Sequence, residues 1–151
     1  MSHATNSTTE LAALIAAKTQ LVEILVRLGK RQIALIGEAE TTALIKLLSA
    51  KQTVLAQLQA VERKLDPFRA ENPETRQWPS AAARAACQAE ADRCNAMLAE
   101  AMELDRSAEA SMRKKRDATA AALESVQTAE GTRSAYESSP PSISRMLQVE
   151  G

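Results

Sequence analysis

Apolar side chains return every three or four residues through the first part of the chain: Leu11, Leu14, Ile15, Leu21, Val22, Leu25, Leu28, Leu35 and Ile36. That spacing gathers them on one stripe of an α-helix. Lys18 and Gln32 are the polar breaks in the stripe, and Gly29 weakens the helix modestly. Ser7, Thr8 and Thr9 offer N-caps, Glu10 suits a first turn, and Gly37 fits a C-cap. The pattern predicts a disordered stretch over 1–9 and a helix over about 10–36. A second stripe follows a short polar join: Leu44, Leu47, Leu48, Val54, Leu55, Leu58, Val61 and Leu65, with Lys51 set into it. A lysine there keeps its stem on the seam and its ammonium at the edge. Thr41 or Thr42 can cap this helix, and Asp66-Pro67 closes it, because the residue before a proline avoids helical geometry. The predicted span is about 41–65.

Pro67, Pro73 and Pro79 punctuate a stiff connector over 66–79 that carries Phe68 and Trp78. The two aromatics fold over the end of the bundle as a lid, or Trp78 lines a ligand site. Ser80 can cap a third helix over about 80–130, a stretch free of proline and glycine from Ala81 to Glu130. Its seam reads Cys87, Ala91, Cys94, Leu98, Ala101 or Met102, Asp105, Ala108, Met112, Thr119, Leu123 and Val126. Small residues there allow close approach of neighbouring backbones. Asp105 marks a break or a pairing across helices.

After Gly131 the character changes. Tyr136 precedes the run Ser138-Ser139-Pro140-Pro141-Ser142, whose composition is that of disordered sequence. Ile143, Met146, Leu147 and Val149 then share one short apolar face. Such a helix is too short to form alone in water. It frays, folds back on its own bundle, or folds against a partner. The expectation is therefore an all-α antiparallel up-and-down helical bundle or coiled coil over 10–131, with a long third helix and a flexible partner-binding tail over 132–151. An arrangement with the first two helices end to end along the third has matching lengths and stays open.

Composition narrows the function. Trp, Tyr and Phe occur once each among 151 residues, and much of the 45% hydrophobic content is alanine, which buries little area. The sole histidine, His3, lies near the N-terminus, and no glycine-rich phosphate loop occurs. No Glu-x-x-His pair of the kind that builds di-iron sites in bundles is present either. No catalytic residue, metal site or cofactor is expected, and the chain does not read as an enzyme. Acidic and basic residues balance at 19 each, which argues against nucleic acid as the main partner. Arg113, Lys114, Lys115 and Arg116 form solvated surface or a patch for an acidic partner. No apolar run approaches the roughly 20 residues that cross a bilayer, and the N-terminus lacks a signal peptide's regions. A cytoplasmic protein without membrane insertion is expected. Cys87 and Cys94 are seven residues apart, about 10.5 Å along a helix. That is beyond the roughly 7 Å a disulfide allows, so both read as small seam residues.

The second helix reads Leu44-Ile45-Lys46-Leu47-Leu48-Ser49-Ala50-Lys51-Gln52-Thr53-Val54-Leu55-Ala56-Gln57-Leu58, preceded by Leu35-Ile36-Gly37-Glu38-Ala39-Glu40. This resembles the FlgN family of flagellar export chaperones, in which a first helix leads through a short polar join into a leucine-rich segment with an embedded lysine. A long third helix and a flexible tail follow there. The likeness covers most of the chain, though the three-proline connector around Trp78 is outside the general family pattern. The resemblance implies binding of exported hook–filament junction proteins and their delivery to the export gate. It places substrate capture on the tail, with Ile143, Met146, Leu147 and Val149, and gate docking on Tyr136. A homo-oligomeric coiled-coil scaffold is the alternative, with Lys18, Gln32 and Lys51 setting the register between chains.

Overall fold

The computed structural model describes residues 2–138, with side chains described for 7–135. Three helices make up the fold: α1 (Ser2–Glu38), α2 (Thr41–Arg69) and α3 (Ala81–Ser138), with a single 3-10 turn at Pro73–Thr75 and no strand among the described residues. The chain divides into two compact units, Met1–Glu109 and Ala110–Gly151.

The first unit is an up-down-up bundle. Lys18 of α1 pairs with Glu62 of α2 at 2.8 Å, while farther along α1 Gln32 accepts from Lys51 at 3.2 Å, so α1 and α2 are antiparallel neighbours. They are not arranged end to end. Arg93 of α3 reaches Glu23, and Lys30 lies 3.6 Å from Glu100, so α3 runs alongside α1 in the same direction. Helix α1 carries much of the core: Leu11, Val22, Leu25, Val26, Leu35 and Ile36 are all buried. Each buried aliphatic side chain of this kind contributes about 1.5–3 kcal/mol of transfer free energy. Near the α1–α2 turn Leu35, Ile36, Leu44, Leu47 and Ala108 cluster. At the other end Leu11, Leu65 and Phe68 do so, with Trp78 packed against them as the expected lid.

Several boundaries differ from the pattern-based reading, each for a local reason. The stretch 1–9 is helical from Ser2 onward. Thr8 is buried and its hydroxyl donates to the Gln77 carbonyl at 2.9 Å, which ties the first turns to the connector. Helix α2 passes through Pro67 to Arg69. Proline removes one backbone donor, but burial of Phe68 beside Leu65 and Leu11 holds the extra turn in place. Helix α3 starts as expected, with Ser80 Oγ accepting from the Ala83 N–H at 3.0 Å. It then runs through Gly131 to Ser138, since one glycine costs only about 1 kcal/mol in an alanine-rich helix. Gly37 is not the residue that ends α1. Ala39 takes the left-handed conformation instead, with φ of 57°.

Within the second unit the described structure is the α3 stretch from Ala110 to Ser138 alone. Alanines at 118, 120, 121 and 122 give it high intrinsic helicity.

Candidate partner-binding site

The residues expected to bind partners fall at the end of the chain. Tyr136 lies in the last turns of α3, where the backbone alone is described. Ile143, Met146, Leu147 and Val149 are outside the described residues. What can be built from the structure is the helical segment that precedes them.

That segment is a helix whose large apolar side chains are exposed. Met112, Leu123 and Val126 are 45%, 56% and 53% exposed. Together with Thr119 they are separated by seven, four and three residues, the rhythm of a helix–helix seam. The same rhythm upstream buries Cys87, Cys94 and Ala108 in the first unit. One seam thus serves the bundle first and is then left in solvent. Arg113, Lys114, Lys115 and Arg116 are exposed beside it, Arg116 lying 3.6 Å from Asp117. Exposed apolar positions of this size are ordinary singly; here three of them recur at helical spacing on one helix.

The first unit contains a separate concave feature. A cleft of about 240 Å³ opens where α1, α2 and α3 meet near the connector, and its apolar wall is Leu11, Ile15, Leu65, Phe68, Ala91 and Cys94. Lys18, Arg69 and Arg76 stand around it, one from α1, one from α2 and one from the connector. A second cleft of about 190 Å³ adjoins it, sharing Leu11, Ile15, Arg76 and Ala91 and adding Trp78, Arg84 and Cys87. Sequence reasoning placed a ligand site near Trp78 only as an option. It gave Arg76 no role, because a connector arginine carries no periodic signal.

The electrostatics around the first cleft are organised by Glu62. It accepts from Lys18 and from Arg69, whose other nitrogen is 2.9 Å from Asp66. Burial pushes the Glu62 carboxyl up, but the hydrogen bonds and positive charges of Lys18 and Arg69 outweigh it and leave the group below the ordinary glutamate range. The Glu62 hydrogen bond in turn raises Arg69. Arg76 donates to the Phe68 carbonyl, and its Nε lies 3.9 Å from Glu71. That Nε is buried and has no hydrogen-bond acceptor among the described residues. Both cysteines are free and buried, and burial raises the Cys87 thiol.

Among the described residues, no three His, Cys, Asp or Glu side chains converge as a metal-ion site, and no helix is long and apolar enough to cross a membrane. Compared with protein-family models, with curated proteins and with solved structures, the chain gives no match.

Proposed function

We propose that this chain is a non-catalytic, partner-binding chaperone of the FlgN type, working in the cytoplasm. The three-helix unit is the rigid handle. The helix from Ala110 to Ser138, continued by the tail with Ile143, Met146, Leu147 and Val149, is the capturing arm. It holds an exported hook–filament junction subunit until delivery, and Tyr136 contributes to docking on the export gate. What carries the reading is the exposure of Met112, Leu123 and Val126 on a helix that has no other described element to cover it within its unit. An isolated helix is only marginally stable in water, so a partner that covers this face also stabilises it. The leucine-rich second helix with its embedded Lys51 supports the family likeness.

The experiment is capture of purified hook–filament junction proteins by the full chain, by a chain lacking 139–151, and by a Met112→Ser, Leu123→Ser, Val126→Ser variant. Both altered chains should lose capture while the thermal transition of the three-helix unit is unchanged. Capture by both altered chains at the level of the full chain rejects the proposal. Tyr136→Ala should retain capture and lose gate binding.

The same exposed row favours a second reading, a scaffold that pairs with its own copies. Light scattering separates them: a fixed oligomer that binds no exported subunit supports the scaffold.

A further inference from the structure

We infer that the cleft beside Arg76 is a binding site for a small amphipathic carboxylate, an alkyl or aryl acid of about eight carbons. The inference is independent of any partner-binding role for the chain. Three observations on one site carry it.

The first is size and lining. At about 240 Å³ the cleft exceeds the roughly 150 Å³ of an apolar cavity that takes up benzene. Leu11, Ile15, Leu65 and Phe68 supply aliphatic and aromatic wall, and Ala91 leaves the space open on the α3 side. An apolar pocket with a few converging polar groups is the usual form of a small-molecule site.

The second is charge. Every charged side chain on the wall is a cation: Lys18, Arg69 and Arg76. Their carboxylate partners Glu62, Asp66 and Glu71 are absent from the lining. The cleft therefore offers the positive side of three ion pairs to whatever enters it. A neutral apolar guest would gain nothing from that arrangement, and a cationic one would be repelled.

The third is an unmet donor. Arg76 is 17% exposed at its side chain, held by the Phe68 carbonyl, with its Nε buried and lacking an acceptor. A buried donor left without a partner weakens the fold. Guanidinium and carboxylate match as a planar two-bond fork. The Glu71 carboxylate stands 3.9 Å from that Nε, too far for a hydrogen bond, so a carboxylate in the cleft offers the Arg76 guanidinium a closer partner than the fold does.

Trp78 is the only tryptophan and lines the adjoining cleft, which shares Arg76 and Ala91, so its emission reports on the site. The full chain is titrated with sodium octanoate, octan-1-ol and sodium acetate, following Trp78 fluorescence. Octanoate should shift the emission saturably. Octanol should bind at least roughly tenfold more weakly, the loss expected when a charge-assisted hydrogen-bond pair is missing. Acetate should give no saturable change. Arg76→Leu should weaken octanoate by a similar factor while leaving octanol unchanged, and Ala91→Leu should weaken both by filling the cleft. Should Arg76→Leu fail to fold, Arg69→Gln, whose side chain is half exposed, replaces it with the same expectation. Equal binding of octanol and octanoate, or full octanoate affinity in the folded arginine variant, overturns the inference. So does a Trp78 emission that varies with protein concentration in the absence of octanoate, since a second copy would then occupy the cleft.

Discussion

Lys51 of α2 donates to Gln32 of α1 at 3.2 Å and also pairs with Asp105 of α3, so one ammonium ties all three helices of the bundle together. The lysine side chain is only 14% exposed, whereas Asp105 is 59% exposed at its side chain. Gln32 is buried. The two partners therefore differ in what they lose when the lysine goes. Asp105 returns to water at little cost, but the Gln32 carbonyl oxygen is left unsatisfied in the interior, at about 1–3 kcal/mol. Lys51→Met should lower stability by about that amount. Asp105→Asn should cost under about 1 kcal/mol, as exposed pairs do. Urea unfolding midpoints of the two variants, taken with their slopes, check the asymmetry. Equal losses would mean that the ion pair rather than the Gln32 contact carries the linkage.

The end of α1 is a Schellman turn built on the wrong residue for it. Glu40 N–H donates to the Leu35 carbonyl at 3.1 Å and Ala39 N–H to the Ile36 carbonyl at 3.2 Å, the paired bonds of that motif. The left-handed position is Ala39, at φ of 57°. A side chain there costs about 1–2 kcal/mol that glycine avoids. Gly37, two residues earlier, is helical, and a Cβ added to it meets nothing within 4 Å. Ala39→Gly and Gly37→Ala should thus each stabilise the chain by about 1 kcal/mol. Their effects arise from separate causes, so the double variant should show close to the sum in thermal or urea unfolding. Destabilisation by Ala39→Gly would contradict the left-handed turn.

Gly29 behaves oppositely to Gly37. A Cβ placed on it comes within 3.0 Å of Leu104 Cβ and 3.2 Å of Leu104 Cδ1. The nearest atom is anchored to the α3 backbone and cannot swing away. Gly29→Ala gains about 1 kcal/mol of helix propensity but forces α1 and α3 apart, a strain of about 1–3 kcal/mol. The expected outcome is a net loss of about 1 kcal/mol in urea unfolding, against the gain at Gly37. A gain at both positions would show that α1 and α3 are not this close.

These contrasts show what the sequence made legible. The all-helical class and most of the seam follow from apolar spacing, because burial acts through the same period as the helix; spacing left the choice between a hairpin and an end-to-end pair of first helices open, and the Lys18–Glu62 and Lys51–Gln32 contacts decide it. The Gly37 assignment fails because glycine's propensity is not the only way to end a helix; hydrogen bonding can drive Ala39 into the same geometry. Val26, Thr19 and Leu104 escape the stripes drawn from leucine spacing, although Val26 and Thr19 are buried and Leu104 lies against Gly29. Thr19 is hidden because its hydroxyl bonds back to the Ile15 carbonyl at 2.9 Å, which lets a polar residue be buried. The cleft was unreadable for a different reason. It depends on where three helices and a proline-rich connector meet, and no local pattern encodes that meeting or the burial of Arg76 within it.

Glu62 couples the stability of the bundle to acid pH. Its folded-state carboxyl lies below the ordinary value of 4.5, because Lys18 and Arg69 together outweigh the effect of burial. A depressed carboxyl stabilises the folded chain fully above its unfolded value, and that contribution is lost as the pH falls through the folded one. The difference in stability between the native chain and Glu62→Gln should therefore be constant from neutral pH down to about 5. It should shrink below about 4.5 and vanish once the native carboxyl is protonated. Its size at neutral pH should be on the order of 1 kcal/mol, since both partners keep some access to water. Urea unfolding of the two chains at a series of pH values measures this directly. The variant also separates two roles of Lys18 and Arg69: removing Glu62 frees Lys18 and leaves Arg69 paired with Asp66 alone, so octanoate should bind more tightly to Glu62→Gln even as the fold weakens. A difference that grows toward acid pH would mean that burial, rather than the two cations, dominates at this carboxyl.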